Sequence, residues 1–184
     1  VSNGVLGLIF IIIVLTLFFN LNTSFWIAMG IPISVFGVIW LLPNFGSTLN
    51  VISLMAIIIV MGIIVDDAII VAENIAQKRE EGLSPINAAI TGVDEVFKPV
   101  ITTILTTFIA FAPMYFMSGV MGKFIWVIPL VITLALIVSL IECLIALPAH
   151  LIPGLNKITI KQENKPNNWF SIIQTYFERI LRKC

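Results

Sequence analysis

Five stretches of this sequence are apolar over lengths comparable to the thickness of a lipid bilayer, at about 4–20, 25–42, 50–73, 97–117 and 124–148. A spanning helix needs roughly 20 predominantly apolar residues. The runs are continuous and lack the alternation over about ten positions that marks a β-barrel strand. Pro32, Pro113, Pro129 and Pro148 lie in or at the ends of these runs. Prolines are tolerated in membrane helices because neighbouring helices and local backbone adjustments re-satisfy the freed groups. The expectation is an all-α polytopic transmembrane helix bundle of five spans over residues 1–152. A cytoplasmic linker, 153–168, and an amphipathic interfacial helix, 169–184, follow it. In that last segment Trp169, Phe170, Ile172, Ile173, Tyr176, Phe177, Ile180 and Leu181 recur at helical spacing between polar residues. Such a helix suits the membrane interface, with packing on a soluble partner domain as the competing reading.

Composition supports lipid as the natural solvent. Of the 184 residues 59% are hydrophobic and 11% charged, with mean hydropathy +1.10. A soluble domain carries about a quarter charged residues. Ten basic and ten acidic residues leave no net charge, so nucleic acid is not expected as a partner. Cys143 and Cys184 show no metal or redox spacing and are expected to be free thiols. The chain begins at Val1 without a basic n-region, so the first run does not read as a signal peptide. The sequence reads as a fragment of something longer.

The connections predict the topology. Asn20–Ser24 is a tight polar turn, Pro43–Leu49 a short loop, and Asn74–Val96 a longer polar connection. Its first part, through Glu81, is expected to extend the third helix, with Gly82 as the stop. Ser84-Pro85 then reads as an N-cap followed by proline at the first helical position. One side of the bundle collects Lys78, Arg79, Lys157, Lys161, Lys165, Arg179, Arg182 and Lys183, with Lys98 at its edge, while the other holds only Lys123. By the positive-inside bias the 74–96 connection and the tail are cytoplasmic.

The third run is not built for stability alone. It reads NVISLMAIIIVMGIIVDDAIIVAEN and places Asp66 about five residues past its middle. That is roughly 7 Å along a helix, inside a hydrocarbon half-thickness of roughly 15 Å. A charge there costs on the order of 3 kcal/mol on insertion scales, and intramembrane acids usually face a bundle interior and serve ion or proton movement. Asp66 and Asp67 diverge by about 100° on a helix. Glu73 and Asn74 follow seven residues later on nearly the same two faces, giving a polar stripe towards the cytoplasmic end. Gly62, one turn above Asp66, is expected to allow close helix approach. Burial and a like-charged neighbour both favour the protonated form of a carboxyl. The pair is therefore expected to load and release protons as a coupled unit. No Lys or Arg lies in the middle of any run, so a basic partner would come from outside this chain.

Glu142 is a third acid in an apolar run, about six residues before Pro148 and preceded by Ser139 on the same face. It either joins the proton path or snorkels to the interface. Met114, Met117 and Met121 cluster at one end of the fourth run. Thioethers bind Cu(I), but apolar filler is the ordinary role. His150 has no second His or Cys nearby and reads as an interfacial histidine, so no metal site is expected.

The runs FWIAMGIPIS (25–34) and LNVISLMAIIIVMGIIVDDAIIVAENI (49–75) resemble the resistance-nodulation-division (RND) superfamily, in its drug (hydrophobe/amphiphile) efflux branch. The motif G-x-x-V-D-D-A-I-V-V-x-E-N of that family's fourth transmembrane helix is matched from Gly62 to Asn74. The similarity continues through Lys98-Pro99-Val100, Ala112-Pro113-Met114 and Leu147-Pro148-Ala149. The resemblance implies that the five runs are helices two to six of a twelve-helix inner-membrane protein of Gram-negative bacteria. It further implies a homotrimeric secondary active transporter, not an enzyme, which exchanges protons for exported compounds. No cofactor is then needed beyond the proton motive force. Asp66 and Asp67 would be the proton relay; the candidate proton path of Glu73, Asn74 and Glu142 rests on the helical spacing above and not on the resemblance. A lysine from the second half would complete the relay. Periplasmic domains would bind substrate, and a periplasmic adaptor and an outer-membrane channel would be partners. Heavy-metal exporters of the superfamily usually lack the double aspartate. Glu142 departs from the aliphatic residue expected in drug pumps. Two alternatives stay open: an RND-type exporter of a metal ion, lipid or protein, and an intramembrane aspartyl protease, whose chemistry needs two carboxylates facing each other.

Overall fold

The computed structural model describes residues 2–157, and the segment assigned above to an amphipathic helix, 169–184, lies outside them. Among the described residues seven α-helices follow one another: α1 (Ser2–Thr16), α2 (Leu21–Leu41), α3 (Val51–Glu80), α4 (Pro85–Phe111), α5 (Gly119–Ile125), α6 (Val127–Ile141) and α7 (Leu147–Lys157). Short 3₁₀ turns, Leu42–Phe45 and Ala112–Phe116, close α2 and α4. A π-helical turn, Glu142–Ala146, joins α6 to α7. Among the described residues there is no strand, and the all-α expectation holds. Four helical stretches are long and apolar enough to cross a membrane: Leu21–Phe45, Val51–Glu80, Pro85–Phe116 and Gly119–Leu155. The first run supplies only a shorter apolar helix, Leu6–Thr16.

Local chemistry explains the boundaries. Asn50 caps α3 through a capping box: its side chain accepts from the Ser53 N–H at 2.9 Å, and the Asn50 N–H donates to Ser53 Oγ at 2.8 Å. At the other end Lys78 and Arg79 occupy the last turn, where cations complement the helix dipole, and Gly82 takes φ +97°. Ser84 and Pro85 start α4 as the pair predicts. The 74–96 connection is thus a helical hairpin, with only Glu81–Ser84 between α3 and α4.

Two boundaries differ from the sequence expectation. Helix α2 begins at Leu21 and not after Ser24, because the Ser24 hydroxyl and N–H both donate to the Asn20 carbonyl and wind that polar turn into the helix. The fifth run does not stop at Pro148. The π-turn lets the Leu147 N–H pair with the Glu142 carbonyl, and the helix continues as α7 to Lys157. A π-turn re-registers the ladder so that a proline without an N–H is accommodated.

Helix α3 is the centre of the bundle and packs on α2, α4 and α6. Helices α3 and α4 run antiparallel, with Gly92 against Ile75 at one end and Thr103 beside Asp67 nearer the other. Helices α2 and α6 also run antiparallel, with Gly37 against Val138 and Gly30 against Glu142. The buried residues form two apolar clusters. One contains Val38 of α2, Leu42 of the turn after it, Ala56, Ile57, Val60 and Ile64 of α3, and Val127, Val131 and Leu136 with their buried neighbours on α6. The other contains Leu15, Ile27, Ala68, Val71, Ala72, Ile75, Val100, Cys143, Leu147 and Leu151. Large apolar side chains such as Phe10, Phe36, Trp40, Ile58, Ile90 and Ile109 face outwards. Hydrocarbon is as apolar as these side chains, so outward-facing phenylalanine and isoleucine carry no penalty in a bilayer.

Candidate functional site

Between the two apolar clusters lies a layer of polar side chains. On α3 the boundary falls between Ile64 and Ala68, and Asp67 occupies it. On α2 it falls between Ile27 and Val38, around Ser34. On α6 it falls between Leu136 and Cys143, where Ser139 and Glu142 stand. Asp67 is 4% exposed, Glu142 6%, and Ser34 and Ser139 are fully buried. Buried polar atoms nearly always find a partner. Here Asp67 Oδ2, Glu142 Oε2, Ser34 Oγ and Ser139 Oγ are all buried and make no hydrogen bond.

The two aspartates part company. Asp67 points into the bundle, where its Oδ1 accepts from the Thr103 hydroxyl at 3.3 Å. The same hydroxyl lies 2.8 Å from the Val100 carbonyl. One proton serves both acceptors, and the shorter contact has the stronger claim on it. Asp66 is exposed on the outer side of α3, which corrects the expectation of a pair buried together. The reason is the roughly 100° between successive residues on a helix: once Asp67 faces α4 and the interior, Asp66 turns out of this bundle. A facing carboxylate dyad of the aspartyl-protease kind is not formed by these two.

The lower stripe divides in the same way. Glu73 is exposed and lines a groove between α1 and α3 with Leu15, Phe18, Ile69 and Gln77. Asn74 turns to α4, and its Nδ2 donates to the Gly92 carbonyl at 2.8 Å and to Glu95 Oε2 at 3.2 Å. Lys78 continues this seam by pairing with Glu95 at 3.0 Å and Glu81 at 3.2 Å. The hydrogen bonds from Lys78 and Asn74 hold the Glu95 carboxyl below its usual range, and those to Glu95 and Glu81 hold the Lys78 ammonium above its own. Asn74 therefore serves first as a staple between α3 and α4.

Glu142 does not snorkel. It opens the π-turn and lies against the α2 backbone, where a Cβ built on Gly30 would come within 2.9 Å of its Oε2. Gly30 makes room for this carboxyl. Gly62, expected to permit close approach, faces open space, and helices approach closely at Gly30, Gly37 and Gly92, and at Gly154 against Asn22. His150 stacks on Trp26 with ring centroids 4.0 Å apart. Ser34 and Thr103 were not singled out from the sequence. Their signal was present, as a serine one turn from Gly30 and as the first Thr-Thr pair of ITTILTT, but hydroxyls in membrane helices commonly bond their own backbone. Thr102, Thr106 and Thr107 do so here.

The sequence has clear relatives. A family model described as the AcrB/AcrD/AcrF family matches residues 1–184. An uncharacterized transporter of Haemophilus influenzae is 34% identical over 138 residues, which cover 75% of this chain and 13% of that protein. Multidrug resistance protein MdtC of Proteus mirabilis is 36% identical over 131 residues, 70% of this chain and 13% of its own length. MdtC of Escherichia coli is 36% identical over 121 residues, 66% of this chain and 12% of that protein. The chain thus spans a small part of the length of the relatives it matches.

Proposed function

We propose that this chain, which belongs to the AcrB/AcrD/AcrF family of RND permeases, is the proton-coupling membrane segment of a proton-driven efflux transporter, with Asp66 and Asp67 as the relay. The observation that carries this reading is Asp67: a carboxyl buried in the polar layer between two apolar clusters, with one oxygen bearing no partner. A permanently charged group could not rest there without a cation or several donors. A group that exchanges a proton could, because its neutral form tolerates the site.

Asp66 complements it. Its outward direction presents an acid to whatever packs on α3 in the longer protein. The outer face of α3 is where a basic group from the second half would reach the relay. Binding and loss of a proton would then change which packing of the two halves is favoured, and substrate domains would follow. The drug-efflux assignment follows the MdtC relatives, which are named for multidrug resistance. A homotrimer in the inner membrane with a periplasmic adaptor and an outer-membrane channel completes the proposal.

The test uses the full-length transporter that contains this segment. Asp66→Asn and Asp67→Asn, expressed singly, should each abolish drug export while membrane levels and trimer yield stay at wild type. Export at wild-type rate in both variants would remove the relay reading. Infrared difference spectroscopy adds the direct readout: a carboxyl band titrating between about pH 5 and 8 and lost in the variants is expected for a proton-loading pair.

A further inference from the structure

The polar layer contains an acid that the aspartate relay does not use. Glu142 belongs to the segment that joins α6 to α7, and its carboxyl is applied to α2 at Gly30. The register of the α2–α6 crossing shows what surrounds it. Gly37 meets Val138 and Gly30 meets Glu142. Ser34 lies between these glycines, about one helical turn from each. On the opposing helix Ser139 lies three residues before Glu142 and next to Val138. Both serines are fully buried, and helical spacing sets Ser34 on the α2 face between the two contact glycines and Ser139 one turn before Glu142. None of the three side chains makes a hydrogen bond through the atoms in question: Glu142 Oε2, Ser34 Oγ and Ser139 Oγ.

Among the described residues no cation pairs with Glu142. Its turn packs on α2, α3, α6 and α7. Helices α2 and α6 contain no titratable residue. Helix α3 contributes Asp67, buried and of the same sign, and Asp66, which is exposed. Cys143, its neighbour on the turn, is buried and makes a weak bond from its thiol to the Leu140 carbonyl. On α7, His150 is exposed and stacked on Trp26, and Lys157 ends the helix. A carboxylate with no cation and no donor in apolar surroundings takes up a proton. Two idle hydroxyls one turn away are donors that could receive the charged form after a small slide of α6 along α2. The π-turn is the element for that slide, because its ladder already carries one extra residue, a feature frequent at functional sites.

We infer that Glu142, seated on Gly30 and accompanied by Ser34 and Ser139, is a second proton-binding site of the bundle, at the α2–α6 crossing and distinct from the Asp66/Asp67 pair. The inference rests on the proton-driven reading given above and deepens it: the transporter loads protons at two separate places in this half. The side chain is a positioning and proton-holding group between two helices, on a face that the aspartates do not share.

The test is infrared difference spectroscopy of the full-length transporter across pH, with Glu142→Gln, Gly30→Ala, Asp66→Asn and Asp67→Asn. The expected result is a pH-responsive carboxyl band that is lost in Glu142→Gln and retained in both aspartate variants. Gly30→Ala should shift the frequency of that band and leave the aspartate bands in place, since the atoms nearest its new methyl are those of the Glu142 carboxyl. This variant keeps the acid, so the inference stays testable even if Glu142→Gln fails to insert. Aspartate bands that titrate without any band assignable to Glu142 overturn the inference and leave the relay standing. A Glu142 band that titrates while the aspartates do not supports the site and removes the relay. A Glu142 band that moves with Na⁺ at constant pH overturns the proton assignment in favour of a metal-cation site.

Discussion

Thr103 shows how little separates the states of a buried acid. Its single hydroxyl proton stands between the Val100 carbonyl at 2.8 Å and Asp67 Oδ1 at 3.3 Å. When Asp67 is charged it competes for that proton, and when Asp67 is neutral the hydroxyl returns to its backbone. Thr103→Val keeps the shape and removes the donor. It should weaken the charged form of Asp67 by about 1 kcal/mol, the net worth of an ordinary hydrogen bond. The measurable outcome in the full-length protein is a shift of the pH profile of export to higher pH, since a higher pH is then needed to discharge the proton. An unchanged profile would show that Thr103 does not touch the chemistry. At this scale much was legible in advance. The acids announce themselves because a carboxylate in an apolar run is expensive, and the divergence of Asp66 from Asp67 follows from helix geometry. The hydroxyls were not legible, because serine and threonine cost little in a membrane helix and usually bond their own turn.

Elements meet where glycine removes a side chain. At Gly92 an added Cβ would come within 2.9 Å of the Ile75 Cα. Backbone cannot yield as a flexible side chain can, so Gly92→Ala should force α3 and α4 apart. The expected loss is about 1–3 kcal/mol, typical of overpacking, read as a lower unfolding temperature in detergent. Gly62→Ala is the control: its methyl meets nothing within this segment. The same hairpin carries an ionic seam. The Lys78–Glu95 contact should be present above the usual carboxylate range and be lost as the pH falls through the lowered Glu95 value. On the basic side it should persist until the pH rises through the raised Lys78 value. Exposed pairs contribute little, so Glu95→Gln should lower the neutral-pH stability only slightly, and the difference from wild type should vanish as the pH falls through the lowered Glu95 value. The capping signals around α3 and α4 could be read from single residues because caps are local. The continuation of the fifth run through Pro148 could not, because a proline ordinarily marks an end and the π-turn that admits it depends on packing at Glu142.

The whole segment is a bundle with two unsatisfied surfaces. Apolar residues cover its outside, and Asp66 and Glu73 are exposed among them. Lipid suits the first group but not the second. Residues 1–184 expressed alone should therefore associate in detergent, giving a polydisperse profile. A monodisperse sample that unfolds cooperatively would contradict this. Topology is testable by labelling in sealed membrane vesicles. A cysteine at Glu81, in a background without Cys143 and Cys184, should react only from the cytoplasmic side, and one at Met117 only from the other. Reaction of both from one side would reject the orientation drawn from the lysine and arginine bias.

Helix content, the places of the apolar runs, the caps and the presence of acids at membrane depth were all properties of the sequence alone, whereas among the described residues only four of the five runs became helices long enough to span. Each depends on spacing along one helix or on the cost of a single group in hydrocarbon. Which face of each helix turns inwards was decided only by the tertiary structure. In water the hydrophobic face marks the core, but a membrane helix is apolar all round and lipid competes equally for every face. Hence Asp67 rather than Asp66 is enclosed, Gly30, Gly37 and Gly92 rather than Gly62 make close crossings, and Glu142 is buried against Gly30. Those outcomes rest on how whole helices fit together, a quantity that no run of residues carries by itself.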